Sequence, residues 1–392
     1  MPDTGALPLR ARVVSDLAGI RALEPAWRAL SEKSRDACTF TGYDWAHAAA
    51  EAFAGSRSLC VVTVVRGEEL VAILPLAVQA GTLLFIGMPE ADVNDLTCLP
   101  GLEAEAVAVA LDAILARTVP WSRCSLDYLW EGSALLHALG ALPARFSSRL
   151  YLRYRGIAPR AVLDDPEAAS KIVKKKNEQK LERQLGRKGN LVFRFLEEQA
   201  EVRAGMEHLV RMHVARREEA GDSSVFLRPE IQAFYRSLLP RLDPRKELRF
   251  FVAELDGRVL ACQLAFESRG RIFCFKTGYD AEFKEYSPGT VMIRRLAQDA
   301  VERGVRIFDH SRGDEAYKAR FSNETKRYYT LHVFRRGLAG WADRSVVRLK
   351  ERAKANPFLY RLLRRFKLVA PAPAAPKAEG PPPGDGPADA PR

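Results

Sequence analysis

No stretch of this 392-residue chain approaches the roughly 18 uninterrupted apolar residues that a membrane-spanning helix needs. Its opening residues, MPDTGALPLRARVV, contain no apolar core of the kind a secretory signal has. Together these absences lead us to expect a cytoplasmic protein. Cysteine is scarce: six residues, at 38, 60, 98, 124, 262 and 274, none in a CxxC pair. Scattered in apolar surroundings, they exclude a disulfide framework and a zinc ribbon, and we expect reduced, buried thiols and no metal.

Net charge is +12, but it is not spread over the chain. Residues 335–367 carry 11 Lys/Arg against 2 acids, and residues 171–188 carry 8 against 2. The remainder is slightly acidic. Basicity confined to two elements argues against a nucleic-acid-binding surface across the whole protein, and no DNA partner is expected.

An apolar content of 47% is that of a globular protein large enough for two or three domains. Residues 12–54 read as helical, with apolar residues at three- and four-residue spacing in Leu17–Leu30 and Tyr43–Phe53. A hairpin (Leu59–Val65, Leu70–Val78), a strand (Thr82–Gly87), a helix (Glu103–Ala116) and a strand (Cys124–Leu129) follow. The second half repeats this order: a helix at Pro229–Leu239, a hairpin at Arg249–Glu267, a strand at 271–278, a helix at 289–303 and a strand at 305–309. Gly67 and Gly257 occupy corresponding turns, and the leucines at 70 and 260 keep that register. The fold class read from this is α/β: two tandem copies of one fold, side by side, with mixed sheets flanked by helices. We place the copies at 10–160 and 161–336, a basic amphipathic tail at 337–369 and a disordered Pro/Ala-rich tail at 370–392.

The second copy holds the richest chemistry, in RIFCFKTGYDAEFKEYSPGTVMIRRLAQDAVERGVRIFDHSRGDEAYK, residues 271–318. A strand–helix–strand unit of this length implies parallel strands, whose carboxyl ends are where ligands bind. Those ends carry Thr277, Tyr279 and Asp280 on one strand and Asp309, His310, Arg312 and Asp314 on the other. Ser287-Pro288-Gly289-Thr290 starts the intervening helix, pointing free N–H groups at the same crevice, an arrangement that suits phosphate. The bland alternative is that this tetrapeptide only starts a helix. The first copy has no such start; it carries Pro89-Glu90-Ala91-Asp92-Val93-Asn94-Asp95 instead, and reads as the partner that shapes the cleft.

Ala168–Asn190 reads as one basic helix. It is a solvated linker, or a face whose Lys174–Lys176 meets an anionic substrate or cofactor phosphates. His213 closes a helix before a Gly-Asp-Ser-Ser loop and counts as a minor substrate-binding candidate. Trp341–Leu349 and Phe358–Leu368 are amphipathic among many arginines. They suit an anionic membrane surface, or pack as plain surface helices.

The pieces Gly278-Tyr279-Asp280, Tyr286-Ser287-Pro288-Gly289, Phe308-Asp309, Arg312-Gly313-Asp314-Glu315 and Tyr317-Lys318 resemble, as a combined string, the signature of the CelD/BcsL-type acetyltransferases. These are a branch of the GNAT superfamily related to the FemAB peptidyltransferases. The resemblance covers roughly residues 10–335. It implies tandem GNAT folds with an acyl donor, acetyl-CoA, between the strands at 271–278 and 305–309, and attack by an acceptor on the thioester. On that resemblance Asp309 or Asp314 is the base or acceptor anchor. Backbone N–H groups near Lys276–Thr277 serve the oxyanion, and Ser287, Gly289 and Thr290 the phosphates. Lys318 and Arg312 hold an anionic acceptor or the phosphates, and Tyr279 and Tyr317 line the acceptor side. Asp314–Arg312 and Glu315–Lys318 could equally be local salt bridges fixing a loop. The chain departs from the usual pyrophosphate loop in having one glycine, Gly289, where that loop has two.

The resemblance implies an acyltransferase acting on a small or lipid-linked sugar or a cell-envelope precursor, as in exopolysaccharide synthesis, working at the inner face of the membrane. Aminoacyl transfer from aminoacyl-tRNA, as in FemAB relatives, and a non-catalytic role in a polysaccharide-synthesis complex are the alternatives.

Overall fold

The computed structural model describes residues 7–355. Residues 1–337 are one compact unit; a second unit begins at Leu338. The first half of the larger unit contributes strands β1 (Leu9–Val14), β2 (Ser58–Arg66), β3 (Glu69–Gln79), β4 (Thr82–Phe85), β5 (Thr97–Cys98), β6 (Arg123–Trp130) and β7 (Leu150–Val162). The second contributes β8 (Leu191–Leu196), β9 (Leu248–Leu255), β10 (Arg258–Ser268), β11 (Arg271–Tyr279), β12 (Ile307–Asp309) and β13 (Glu324–Val333). Helices α1 (Leu17–Ala22), α2 (Glu24–Lys33), α3 (Tyr43–Ala52), α4 (Glu103–Ala116) and α5 (Ala134–Ala138) belong to the first half. Helices α6 (Pro166–Val173), α7 (Lys176–Gly186), α8 (Gln199–Glu219), α9 (Pro229–Leu238), α10 (Pro288–Glu302) and α11 (Ala316–Arg320) belong to the second. Helix α12 (Gly337–Ala355) opens the tail.

The repeated order is real at the level of topology. In each half a tight hairpin (β2–β3, β9–β10) turns at a glycine of positive φ, Gly67 at 62° and Gly257 at 80°. In each half a parallel pair encloses one helix: β4 and β6 around α4, β11 and β12 around α10. The halves do not keep separate sheets, however. β7 leaves the first half to pair with β12, and β13 leaves the second to pair with β6, while β7 and β13 pair with each other. Among the described residues a single 13-stranded sheet results, in the order β1-β2-β3-β4-β6-β13-β7-β12-β11-β10-β9-β8, with β5 on β3.

The core joins the halves as firmly as the sheet does. Trp45 of α3 meets Phe234 of α9 at 4.9 Å between ring centroids, and Phe40 meets Phe273 of β11 at 5.4 Å. These rings belong to one buried cluster running from Ile20 to Tyr328. Each fully buried aromatic is worth about 2 kcal/mol. All six cysteines are free and buried.

Some expected elements differ. Residues 12–54 do not read as helix from their start: the apolar alternation at Leu9–Val14 is the edge strand β1 on β2. The basic segment 168–190 is two helices, not one. It breaks at Lys174, where three lysines adjoin and ψ reaches 60°, and each piece packs separately on α10. In the tail, α12 covers Trp341–Leu349; Phe358–Leu368 and residues 370–392 lie outside the described residues.

Candidate active site

β11 and β12 pair only over Arg271–Phe273 and Ile307–Asp309. After Asp309 the chain follows β7 instead: His310 N–H donates to the Pro159 carbonyl at 3.1 Å, and Gly313 N–H to the Ile157 carbonyl at 3.1 Å. Residues Cys274–Tyr279 are thus left without a strand partner on that side. A bulge sharpens the divergence. Leu264 faces Lys276 and Ala265 faces Cys274, so Phe275 is the extra residue. Phe275 turns into the aromatic core, 5.7 Å from Trp45, and the register beyond it is re-aimed. Gln263, fully enclosed, fixes that register: its amide donates to the Lys276 carbonyl at 3.1 Å and accepts the Thr277 hydroxyl at 2.5 Å.

The tip of α10 stands beside the end of β11. Ser287 is exposed and left-handed (φ 45°), Pro288 sets the first helical residue, and Gly289 and Thr290 are half-buried. A Cβ on Gly289 would stand 3.5 Å from Tyr279 and 3.9 Å from Thr277, against the strand end. Ser287 does not cap with its side chain. Its carbonyl instead accepts the Thr290 N–H at 3.0 Å and the Thr290 hydroxyl at 3.1 Å. That occupies the Thr290 N–H, so the N–H of this turn that an anion could take is that of Gly289.

The equivalent gap in the first half is filled. β4 and β6 pair only at Thr82–Leu83, and the segment after β4 returns between them. There Asn94 N–H donates to the Tyr128 carbonyl at 3.1 Å, and its amide to the Asp127 carbonyl at 3.1 Å. This segment projects Glu90 and Asp92 toward the second half. Glu90, 2% exposed, accepts the Tyr235 hydroxyl at 2.5 Å and pairs with Lys276 at 3.1 Å. Burial pushes its carboxyl pKa up, but Lys276 and the Tyr235 hydroxyl outweigh it and hold the group below the ordinary carboxylate range. Asp92 pairs with Arg312 at 2.6 Å, and Arg312 also donates to the Pro89 carbonyl at 2.9 Å.

The structure gathers Lys276, Thr277, Tyr279, Arg312, Tyr317 and Lys318 around the divergence but gives them unequal freedom. Asp309 is fully enclosed, paired with the equally enclosed Lys326 at 2.5 Å, and accepts the Ser311 N–H at 2.9 Å. Burial raises its pKa and Lys326 more than reverses that, so it stays ionised. A carboxylate so placed anchors the strand end, one oxygen holding Lys326 and the other the Ser311 N–H. Asp314 is exposed on the following loop. Lys318 is buried, donating to the Arg312 carbonyl at 2.6 Å and pairing with Glu315 at 2.9 Å. His213 is buried with Nδ1 2.8 Å from the Ser224 hydroxyl, its pKa pushed down to about 4 by burial and then by Arg216 and Lys276. Arg216 lies 5.7 Å over the Tyr279 ring. Sequence reasoning missed Glu90, Asp92, Tyr235 and Lys326. The acids stood in a segment visible in the sequence, but nothing local says that it reaches the other half.

Residues 174–319 match the family model described as an acetyltransferase (GNAT) domain. That stretch of the second half is similar to GNAT domains, and it contains both the open gap and the α10 tip. A crystal structure of FemX is similar in fold, at 11% identity and a TM-score of 0.54, covering 78% of this chain and 95% of that one. So is the C-terminal domain of a lysylphosphatidylglycerol synthetase from Agrobacterium fabrum, at 13% identity and a TM-score of 0.52, covering 83% and 95%. A search of curated proteins gave no match. The resemblance to GNAT domains implies an acyl-CoA donor, and the residues of the gap would suit one. The unpartnered edge of Cys274–Tyr279 could take an extended pantetheine-like chain as a strand would, and the Ser287–Gly289 tip could take an anionic group. Among the described residues no cluster of His, Cys, Asp or Glu could hold a metal ion, and no helix is long and apolar enough to cross a membrane.

Proposed function

We propose that this chain is an acyl-CoA-dependent acyltransferase, with acetyl-CoA as donor, acting on a sugar or cell-envelope precursor by direct attack on the thioester. The observation that carries the reading is the parting of β11 from β12 after three residue pairs, with the α10 tip beside the free edge. The filled gap of the first half supports a single donor site. On the acceptor side Lys276, Arg312 and Lys318 are paired with Glu90, Asp92 and Glu315, and Arg216 over Tyr279 is the cation that a phosphate-bearing acceptor, small or lipid-linked, would meet. With Asp309 committed to Lys326, and Glu90 to Lys276 and Tyr235, the carboxylate we assign to the acceptor amine or hydroxyl is the exposed Asp314. The protein would work in the cytoplasm at the inner face of the membrane, with the basic residues 337–369 as a further contact for an anionic surface. Calorimetric titration with acetyl-CoA tests the donor. Saturable binding lost in Gly289→Glu supports the reading, and no binding by the wild-type chain overturns it.

A second reading, aminoacyl transfer, draws on the name of the similar lysylphosphatidylglycerol synthetase and on the single glycine of the α10 turn. Transfer dependent on charged tRNA and indifferent to acetyl-CoA would favour it.

A further inference from the structure

Outside the cleft, the outer face of α7 and of the turn before it carries one sign of charge. Lys174, Lys176, Lys180, Arg183, Arg187 and Lys188 are all exposed. On α7 the residues 176, 180, 183 and 187 recur at four-, three- and four-residue steps. They therefore lie in one line, roughly 16 Å long at the α-helical rise. Glu167 of α6 is exposed and paired with Lys171 at 2.7 Å, while the two acids of α7 are held by arginines. Glu178 is buried and pairs with Arg320 at 3.0 Å, and Glu182 is held by Arg294 and Arg295 of α10. Like charges at these steps weaken a helix, so the line is a liability to folding that an external anion would relieve.

Both ends of the line matter. At the start of α7, Lys171, Lys174, Lys175, Lys176 and Arg320 line a depression of about 690 Å³, with Glu178, the partner of Arg320, the one acid on its wall. Past its end, the Lys188 ammonium lies 5.5 Å over the ring of Tyr286, the residue before Ser287 at the α10 tip. The cationic line therefore runs from an open basic depression to the mouth of the donor cleft.

The shape selects the anion. The face is the straight, convex side of a helix, with no groove to track a strand. Between residues 168 and 190 it has no Phe, Tyr or Trp on which a base could stack. Its apolar residues Ile172 and Leu185 are buried and Val173 and Leu181 half-buried, so no exposed large apolar side chain is offered to lipid tails either. What remains is a one-signed surface of the kind that meets anionic lipid headgroups by electrostatics alone. We propose that this face of α7 and the turn before it docks on an anionic lipid bilayer, with a headgroup phosphate seated in the depression beside Arg320. Docking in this way holds the cleft mouth at the membrane, where a lipid-linked acceptor would be met. That purpose rests on the acyltransferase reading; the docking itself does not.

The test uses the full chain and sedimentation with phosphatidylcholine vesicles, with and without phosphatidylglycerol. We expect binding that requires phosphatidylglycerol, falls away at high salt, and is about 100-fold weaker in the triple variant Lys180→Gln, Arg183→Gln, Arg187→Gln. Wild-type affinity in that variant would assign binding to the basic tail and overturn the proposal. So would absence of vesicle binding, or binding of duplex RNA that the variant loses while vesicles are ignored. If the triple variant loses its native circular dichroism, the single changes Lys180→Glu and Arg183→Glu are measured instead, each expected to weaken binding about tenfold. Acetyl-CoA titration of the wild-type chain separates the two ideas, because failure there removes the donor site and leaves vesicle binding intact.

Discussion

The carboxylate of Glu90 lies 3.1 Å from the ammonium of Lys276, and the two belong to opposite halves of the chain. The half whose strand gap is filled thus reaches into the half whose gap stays open, and fixes the charge beside the bulged strand. We expect Glu90→Gln to cost about 2 kcal/mol, the scale of a charged hydrogen bond in a mostly enclosed setting. Urea denaturation measures it; an unchanged midpoint would mean that the pair contributes nothing to joining the halves.

Asp309 and Lys326 make a sharper case, since neither reaches water. Asp309→Asn leaves Lys326 as an uncompensated buried cation and should destabilise by about 3–5 kcal/mol. Thermal unfolding reads this directly. A variant that keeps wild-type stability but loses turnover would restore Asp309 as a catalytic group.

Gly289→Glu places bulk and negative charge at the α10 tip, against Tyr279. Donor affinity should fall by at least about 100-fold with little change in stability, because the half-buried turn can hold a side chain at ordinary contact distance. Calorimetry gives the affinity, and an unaltered value would detach this turn from donor binding.

His213 gives a pH signature. Its folded pKa, about 4, lies below the ordinary histidine value near 6.5, so the native state prefers the neutral ring. Its contribution is fully present above pH 6.5. It is lost progressively as pH falls toward 4, because the unfolded chain takes up the proton first. Stability of His213→Gln should therefore depend less on pH between 6.5 and 4 than that of wild type. Parallel curves would assign the acid sensitivity elsewhere.

The thiols make a simple control. Burial pushes Cys60 up to about 11 and Cys98 and Cys262 up to about 12, and raises the others. Native protein should react negligibly with a thiol reagent at neutral pH and fully once unfolded. Rapid labelling of any native cysteine would contradict the packing of that site.

What the sequence determined by itself was local. Period-two and period-3.6 apolar spacing set the two hairpins, α4 and α10, and Pro288 and Gly289 marked where α10 begins. The α/β class, the repeat and the position of the gap between β11 and β12 followed from these. Tertiary structure alone decided which strands would be exchanged between the halves, because β7 and β13 carry no local mark of their partners. It also decided which acids would be spent. Asp309 and Asp314 look alike in the sequence, yet one is locked to Lys326, 17 residues on, and the other faces water. Glu90 gained its place only when the first half filled its own gap. The free energy of a charge depends on what surrounds it in space, and neighbours brought together across 186 residues, as Glu90 and Lys276 are, leave no trace in spacing.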